Sequence, residues 1–219
     1  MRRRKGLTLL EVLIILAVVA VLAGLLASIL LKYREEPRRL RCRENLCELG
    51  KALAEYIDSG ERWYPCPLGR CARGSGAGTY NGAEWLASLY WVGLVADPDL
   101  FLCPSSRDRN SNGRDIGSHV VNDVAGGRFG SQTVSYAGLW WKSVKTAYGG
   151  PFRDDFPPGE PMACDDTQGG INHGTPNNGG MNVLFFDAHV EFKTTPDVDI
   201  TSQTGSVGKK PGLLWRLKN

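Results

Sequence analysis

Apolar residues are spread very unevenly along this chain. From Leu7 to Leu31 a 25-residue run is almost wholly Leu, Val, Ile and Ala, and Glu11 is its only charge. As a helix rising 1.5 Å per residue, the run is roughly 37 Å long, enough to cross a hydrocarbon core of about 30 Å with some tilt. Lys32-Tyr33-Arg34-Glu35-Glu36-Pro37 then breaks the pattern, and a different period follows. Cys42, Leu46, Leu49, Leu53 and Tyr56 recur at spacings of four, three, four and three, which places them on one helical face. Arg41, Glu44, Glu48, Lys51 and Glu55 fall mostly away from it. The pattern predicts a helix in two halves, one suited to a bilayer and one amphipathic, ending near Ser59 with Gly60 as a stop. Pro37 lacks an N–H for the helix ladder and predicts a kink or a restart.

Beyond residue 60 the patterns are shorter. Glu84 to Trp91 reads as a helix that Gly93 would end, and Thr133 to Trp141 and Met181 to Phe192 read as strands. Asn112-Gly113 and Asn178-Gly179 are turn signals. Two to four antiparallel strands packed on the amphipathic helix would bury its apolar face, giving an α+β head. The 27 Gly and 12 Pro require many loops. From Thr201 onward the chain is polar and basic except for Leu213-Leu214-Trp215, expected to dock as an edge strand or a surface anchor.

Composition narrows the classes. With 219 residues, 42% hydrophobic and 22% charged, the chain is neither disordered, nor collagen-like, nor a coiled coil. Its average hydropathy is slightly negative, too low for a polytopic membrane protein. The formal net charge is +3, and Arg2, Arg3, Arg4 and Lys5 supply four positive charges, so the remainder carries −1. A nearly neutral body offers no footprint for nucleic acid. The basic cluster sits directly before the apolar run instead, which by the positive-inside rule leaves the N-terminus in the cytoplasm and the body outside. Lys32, Arg34, Arg38 and Arg39 weaken that asymmetry.

A cleaved secretory signal would have an apolar region of only about 7–15 residues and a small-x-small cleavage site. This run is longer and continues into the amphipathic stretch without such a site. A plain single-pass anchor explains the length but not Glu11. An ionisable residue within a membrane helix costs about 2.5–3.5 kcal/mol near the centre and calls for a partner. If the chain is cut between Gly6 and Leu7, Glu11 becomes the fifth residue, one turn from a new positively charged α-amine. In a helical stack it could neutralise the amine of a neighbouring subunit and set the axial register.

Arg2-Arg3-Arg4-Lys5-Gly6 followed by Leu7-Thr8-Leu9-Leu10-Glu11-Val12-Leu13-Ile14 resembles the class III signal of type IV pilins and type II secretion pseudopilins. The resemblance implies cleavage after Gly6 by prepilin peptidase and N-methylation of Leu7, which stands where Phe is usual. The proline common in the middle of such membrane helices is missing, and Gly24 could supply local weakness instead. Four further segments resemble a pilin-like family abundant in Planctomycetes and related bacteria. They are Cys42-Arg43-Glu44-Asn45-Leu46 through Tyr64-Pro65, Phe101-Leu102-Cys103-Pro104-Ser105-Ser106, Ser135-Tyr136-Ala137-Gly138, and Asn172-His173 through Asp187-Ala188-His189. Thirteen residues separate His173 from Asp187 where nine are typical, and Ala188 replaces Gly in the Asp-Gly-His motif. A longer loop is the expected result. The pilin resemblance divides the chain into a leader (1–6), a transmembrane or filament-core helix (7–31), an amphipathic helix entering the head (32–59) and a globular, loop-rich β head (60–219).

Several residues could carry chemistry. Six cysteines in a domain outside the cytoplasm favour disulfides: Cys66 with Cys71 around a small loop, and Cys103 with Cys164 across a long excursion. Cys42 and Cys47, five apart on one helix, point to different sides and remain as buried thiols or pair elsewhere. Zinc is the competing reading, but Cys-x4-Cys lacks a matching second pair. Asp108, Asn110 and Asn112, with Gly113 at the sixth position, resemble a calcium loop; His119 stands where an EF-hand needs Glu, and an Asn/Asp turn explains the pattern equally. His173, Asp187 and His189 invite a metal or acid–base reading, with Asp187 and His189 alternating on a strand. Alternatively these groups fix the turn after the strand by hydrogen bonds to backbone. No general base, nucleophile elbow, phosphate loop or dinucleotide fingerprint accompanies them. The paired aromatics Trp63-Tyr64, Tyr90-Trp91 and Trp140-Trp141 suit a core, a subunit contact or a ligand surface.

The expectation is a structural, non-enzymatic subunit of a type IV pilus-like filament. It would be held in the inner membrane as a precursor, with its head outside the cytoplasm, and polymerised into a cell-surface or periplasmic filament. The resemblance implies identical or related pilin subunits, prepilin peptidase, an assembly platform and its ATPase as partners, with no cofactor beyond the calcium candidate. A type II secretion pseudopilin is the first alternative. A membrane-anchored extracytoplasmic binding domain or metal-dependent enzyme is the second.

Overall fold

The computed structural model describes residues 8–59, 62–67, 80–110, 116–118, 129–140, 153–165, 171–175, 178–194, 214 and 216–218. A helix α1 (Leu9–Ser59) is followed by a short helix α2 (Gly82–Trp91) and six strands. These are β1 (Tyr136–Leu139), β2 (Pro161–Asp165), β3 (His173–Thr175), β4 (Asn178–Phe185), β5 (Val190–Thr194) and β6 (Leu217–Lys218). The chain is α+β, with a long N-terminal helix and a small antiparallel sheet, an arrangement consistent with the pilin fold. It divides into two compact units, Met1–Pro37 and Arg38–Asn219.

The first unit is dominated by the apolar half of α1. Leu9–Ala27 is long and apolar enough to cross a membrane. Its large side chains are exposed, and Leu13, Leu16, Val19, Leu22 and Leu26 are each more than half exposed. A helix that is apolar all round finds its favourable surroundings in lipid or in other helices. The helix runs through Pro37 without the expected restart. One missing hydrogen bond is outweighed there by good helix formers on both sides, Arg34-Glu35-Glu36 and Arg38-Arg39-Leu40.

In the second unit the amphipathic face behaves as its spacing predicts. Cys42, Leu46, Leu49 and Leu53 are fully buried, with Tyr56 partly buried. Close approach to the sheet comes at Gly50, where a Cβ would lie 2.9 Å from a methyl of Leu184. Helix α2 starts two residues before the predicted Glu84 because Asn81 caps it. The Asn81 side chain accepts from the Glu84 N–H at 2.8 Å, while the Glu84 carboxylate accepts from the Asn81 N–H at 2.9 Å. This reciprocal box satisfies two N–H groups that the first turn would otherwise leave unpaired. Gly93 ends the helix with φ of +80°, as expected of a glycine stop. Gly138 lets β1 touch α2 directly, since a Cβ there would sit 2.6 Å from the Gly82 carbonyl oxygen.

The sheet is larger than the two to four strands expected, because several strands are too short to leave a periodic signal. β1 lies between β2 and β6, and β2 continues to β4. β4 carries β5 on one edge, and on the other β3 and β2 lie end to end. The predicted strand 133–141 is trimmed to β1, with a 3-10 turn at Ser131–Thr133 before it. The predicted strand 181–192 is a hairpin of β4 and β5. Asn178-Gly179 belongs to β4, paired with Thr175 and Gly174, so the β3–β4 connection falls on residues 176–177, outside the described residues. Gly60 and Asn112-Gly113 also lie outside them. The C-terminal segment docks as the edge strand β6, with Leu214 buried beside it.

The β4–β5 turn holds Ala188 at φ of +66°. The left-handed region costs an L-residue roughly 1–2 kcal/mol and glycine little. Ala188→Gly should therefore stabilise the head by about 1 kcal/mol, raising Tm by some 2–4 °C in thermal unfolding of the full chain.

Candidate functional site

Asp165 is the last residue of β2 and His173 the first of β3, and both strands lie on the same edge of β4. Cys164 pairs with Val183, which sets Asp165 opposite Asn182, and His173 pairs with Gly180. Asn182 and Gly180 are two residues apart, so Asp165 and His173 emerge on one face of the sheet. Tyr136, paired with Asp165 from β1, emerges there too. Cys42 reaches this face from α1. Cys103 reaches it from the segment that follows the 3-10 turn Pro98–Phe101.

Four metal-competent side chains thus converge: one ligand atom each from Cys42, Cys103, Asp165 and His173, all within 4.8 Å of one another and all buried. The Cys42 thiol donates to Asp165 Oδ1 at 2.7 Å and lies 3.6 Å from the Tyr136 hydroxyl. Cys103 Sγ is 3.5 Å from His173 Nε2, which is 3.4 Å from Asp165 Oδ2. Asn182 gives Asp165 Oδ2 its backbone N–H at 2.7 Å and its amide N–H at 3.2 Å. Its own Oδ1 is buried with no hydrogen-bond partner. Phe192 and the His173 ring meet edge to face, and the Arg39 guanidinium lies over the Phe192 ring, 4.4 Å from its centroid. Burial pushes the Cys42 thiol, the Asp165 carboxyl and the Tyr136 hydroxyl up. The hydrogen bond from Cys42, with a second from His173, pulls Cys103 down to about 7.

His173, Asp187 and His189 do not come together as a metal or acid–base reading would require, and the alternative of a turn fixed by hydrogen bonds holds for Asp187 and His189. His173 faces Gly180, and about 17 Å of strand separates Gly180 from Phe185, where the next turn begins. In that turn the Asp187 carboxylate accepts from the His189 backbone N–H at 3.2 Å and pairs with its ring. The His189 ring stacks on Phe185 at 4.3 Å. Asp187 and His189 thus fix an exposed turn, and the hydrogen bond from His189 holds the Asp187 carboxyl below its usual range.

The proposed Cys103–Cys164 bridge is also corrected: both remain thiols. Neighbouring strand residues point to opposite faces, so Asp165 turns toward Cys103 and Cys164 turns away. Cys42 and Cys47 are likewise thiols. Cys66 is disulfide-bonded, and Cys71 lies outside the described residues. In the calcium candidate, Asp108 is pushed up by burial, and Asn110 donates its amide to the Pro98 carbonyl. Asn112 lies outside the described residues. Among the paired aromatics, Tyr64 is buried against Trp85 and Phe186, Tyr90 and Trp91 are half-buried against Phe101 and Phe129, and Trp63 is exposed.

At the other end of the chain, Gly6 and Leu7 lie outside the described residues, and Thr8 opens the first turn of α1. Glu11 Oε2 accepts from the Thr8 backbone N–H at 2.7 Å and from its hydroxyl at 2.9 Å, while the Glu11 N–H donates to Thr8 Oγ1 at 3.3 Å. Thr8-Leu9-Leu10-Glu11 is therefore a capping box. Residues 1–27 match the family model of the prokaryotic N-terminal methylation motif.

The chain carries a class III, prepilin-type signal.

The signal and its apolar helix fit a membrane-anchored precursor of the pilin or pseudopilin kind, and the motif implies processing by prepilin peptidase. No curated protein and no solved structure matches the chain. The prepilin motif was legible in the sequence through its basic residues, Gly6 and Glu11. Its capping role was not noted there, although Thr-x-x-Glu before an apolar run is a sequence-level sign of a helix start. Asp165 was missed altogether. A carboxylate ending the apolar strand Pro161-Met162-Ala163-Cys164 was the only local hint.

Proposed function

We propose that this chain is a structural subunit of a type IV pilus-like filament, with no catalytic activity of its own. The observation that carries the reading is the prepilin signal joined to a fully exposed apolar helix whose one acid stands in its first turn. In the precursor, lipid covers that helix. In the filament, neighbouring helices replace lipid, and the same apolar surface stays out of water.

Cutting after Gly6 exposes an α-amine four positions before Glu11 in the sequence. In a stack it meets the Glu11 of an adjacent subunit. Thr8 supplies two donors to Glu11, both on Oε2. A carboxylate has about four acceptor sites, so a neighbour's amine can add to the intrachain cap without displacing it. The head supplies the outer surface and any ligand specificity. In the head, Asp187 and His189 serve a turn, and the buried cysteine–histidine cluster is closed by core residues, which supports a structural role over an enzymatic one. The same signal serves a secretion pseudopilin, which would differ in filament length.

Substituting the residue before the cut tests the reading. A Gly6→Leu chain should stay full length in the membrane fraction, with no material released by shearing. Release of an uncut chain would contradict polymerisation through a processed N-terminus.

A further inference from the structure

The geometry points to a closed zinc site: we propose that Cys42, Cys103, Asp165 and His173 hold one zinc ion that fastens the amphipathic half of α1 to the sheet. The proposal is independent of filament assembly and concerns the head alone.

Distances come first. Zinc takes sulfur at about 2.3 Å and nitrogen or carboxylate oxygen at about 2.0–2.2 Å, so the edges of its tetrahedron run from about 3.3 to 3.8 Å. Cys103 Sγ to His173 Nε2 is 3.5 Å and His173 Nε2 to Asp165 Oδ2 is 3.4 Å, both within that range. All four ligand atoms lie within 4.8 Å of one another, so small side-chain rotations close the remaining edges. Cys42 Sγ now donates to the other oxygen of that carboxylate, Asp165 Oδ1, at 2.7 Å, and this hydrogen bond is lost when the sulfur binds the metal as thiolate.

Charge comes second. The pocket is rich in acceptors: two sulfurs, a carboxylate and the partnerless Asn182 Oδ1, all buried. Two thiolates and a carboxylate sum to −3, and a divalent cation reduces this to −1. The Asn182 backbone and amide N–H groups on Asp165 stabilise what remains. They also orient the carboxylate, as outer-shell groups do at metal sites. With Nε2 turned to the metal, His173 would carry its proton on Nδ1.

Ligand type comes third. Two thiolates, an imidazole and one carboxylate suit zinc rather than calcium or magnesium, which take hard oxygen ligands. Four protein ligands leave no open position, and such sites stabilise structure without catalysing a reaction. The ligands come from α1, the segment before Pro104, β2 and β3, so the ion would join four separate pieces of chain. In an oxidising compartment the competing outcome is a disulfide between Cys42 and Cys103.

The test uses the full-length chain in detergent, purified anaerobically without chelators, with zinc measured by plasma mass spectrometry and thiols counted by alkylation and mass. One zinc per chain is expected. Cys42→Ser and Cys103→Ser should each lower bound zinc about tenfold or more, Asn182→Ala should weaken affinity about 10- to 100-fold, and Cys47→Ser should change nothing. Because the serine variants could fail to fold, wild-type chain stripped of metal is also titrated with Co(II). Tetrahedral d–d bands and a thiolate-to-cobalt charge-transfer band should saturate at one equivalent. Wild-type chain with neither zinc nor the cobalt bands, a Cys42–Cys103 disulfide in the purified protein, or full zinc in both serine variants would each overturn the proposal.

Discussion

Glu11→Ala should leave the chain in the membrane and cut after Gly6, yet lower the material released by shearing by about tenfold or more. A hydrogen bond to a charged group is worth about 1.5–3 kcal/mol, and every 1.4 kcal/mol is tenfold in an equilibrium constant. The loss recurs at each subunit added, so polymer falls steeply. Local helix stability does not explain such a result, and Thr8→Val separates the two effects. That change removes the hydroxyl that bonds Glu11 and accepts the Glu11 N–H. It should cost the first turn about 1 kcal/mol while leaving the carboxylate available to a neighbour. Immunoblots of sheared and membrane fractions check both variants. Undiminished shedding of Glu11→Ala would refute the pairing.

Asp165→Ala should destabilise the head by about 3–5 kcal/mol, the usual cost of removing one partner from a buried charged cluster. The carboxylate is wholly buried and is held by the Asn182 backbone N–H, the Asn182 amide, the Cys42 thiol and His173. Alanine leaves the Asn182 backbone N–H without that acceptor in the core and takes the carboxylate away from His173. Asp187→Ala is the contrasting control. Its exposed pair with His189 should contribute under about 1 kcal/mol. Denaturant unfolding of the full chain in detergent, followed by tryptophan fluorescence, reads both. Equal, small effects would mean that the buried cluster does not hold the head together.

What the sequence revealed follows from how local each signal is. The two halves of α1 are written in hydrophobic period, and Cys42, Leu46, Leu49 and Leu53 are buried as their spacing requires. The stop at Gly93 is equally local. β2 and β3, of five and three residues, carry too few alternations to be read and escaped. The single strand expected over residues 181–192 hid a tight turn because Ala188 occupies a left-handed position normally marked by Gly. The buried cluster is the least local feature. Cys42 and His173 are 131 positions apart, and the cluster forms only because β2 and β3 share one edge of β4 and α1 packs Cys42 against Asp165. Grouping His173 with Asp187 and His189 was a reading by sequence proximity, and the β4 strand puts its own length between them.

The central claim is that this chain becomes a filament subunit through its processed N-terminus. The measurement that tests it most directly is the intact mass and N-terminal sequence of protein recovered from sheared cell-surface material. The account predicts a chain that starts at Leu7, carries one added methyl group and is enriched in the sheared fraction. A chain that starts at Met1 and remains with the membrane would contradict it, leaving α1 as a plain anchor.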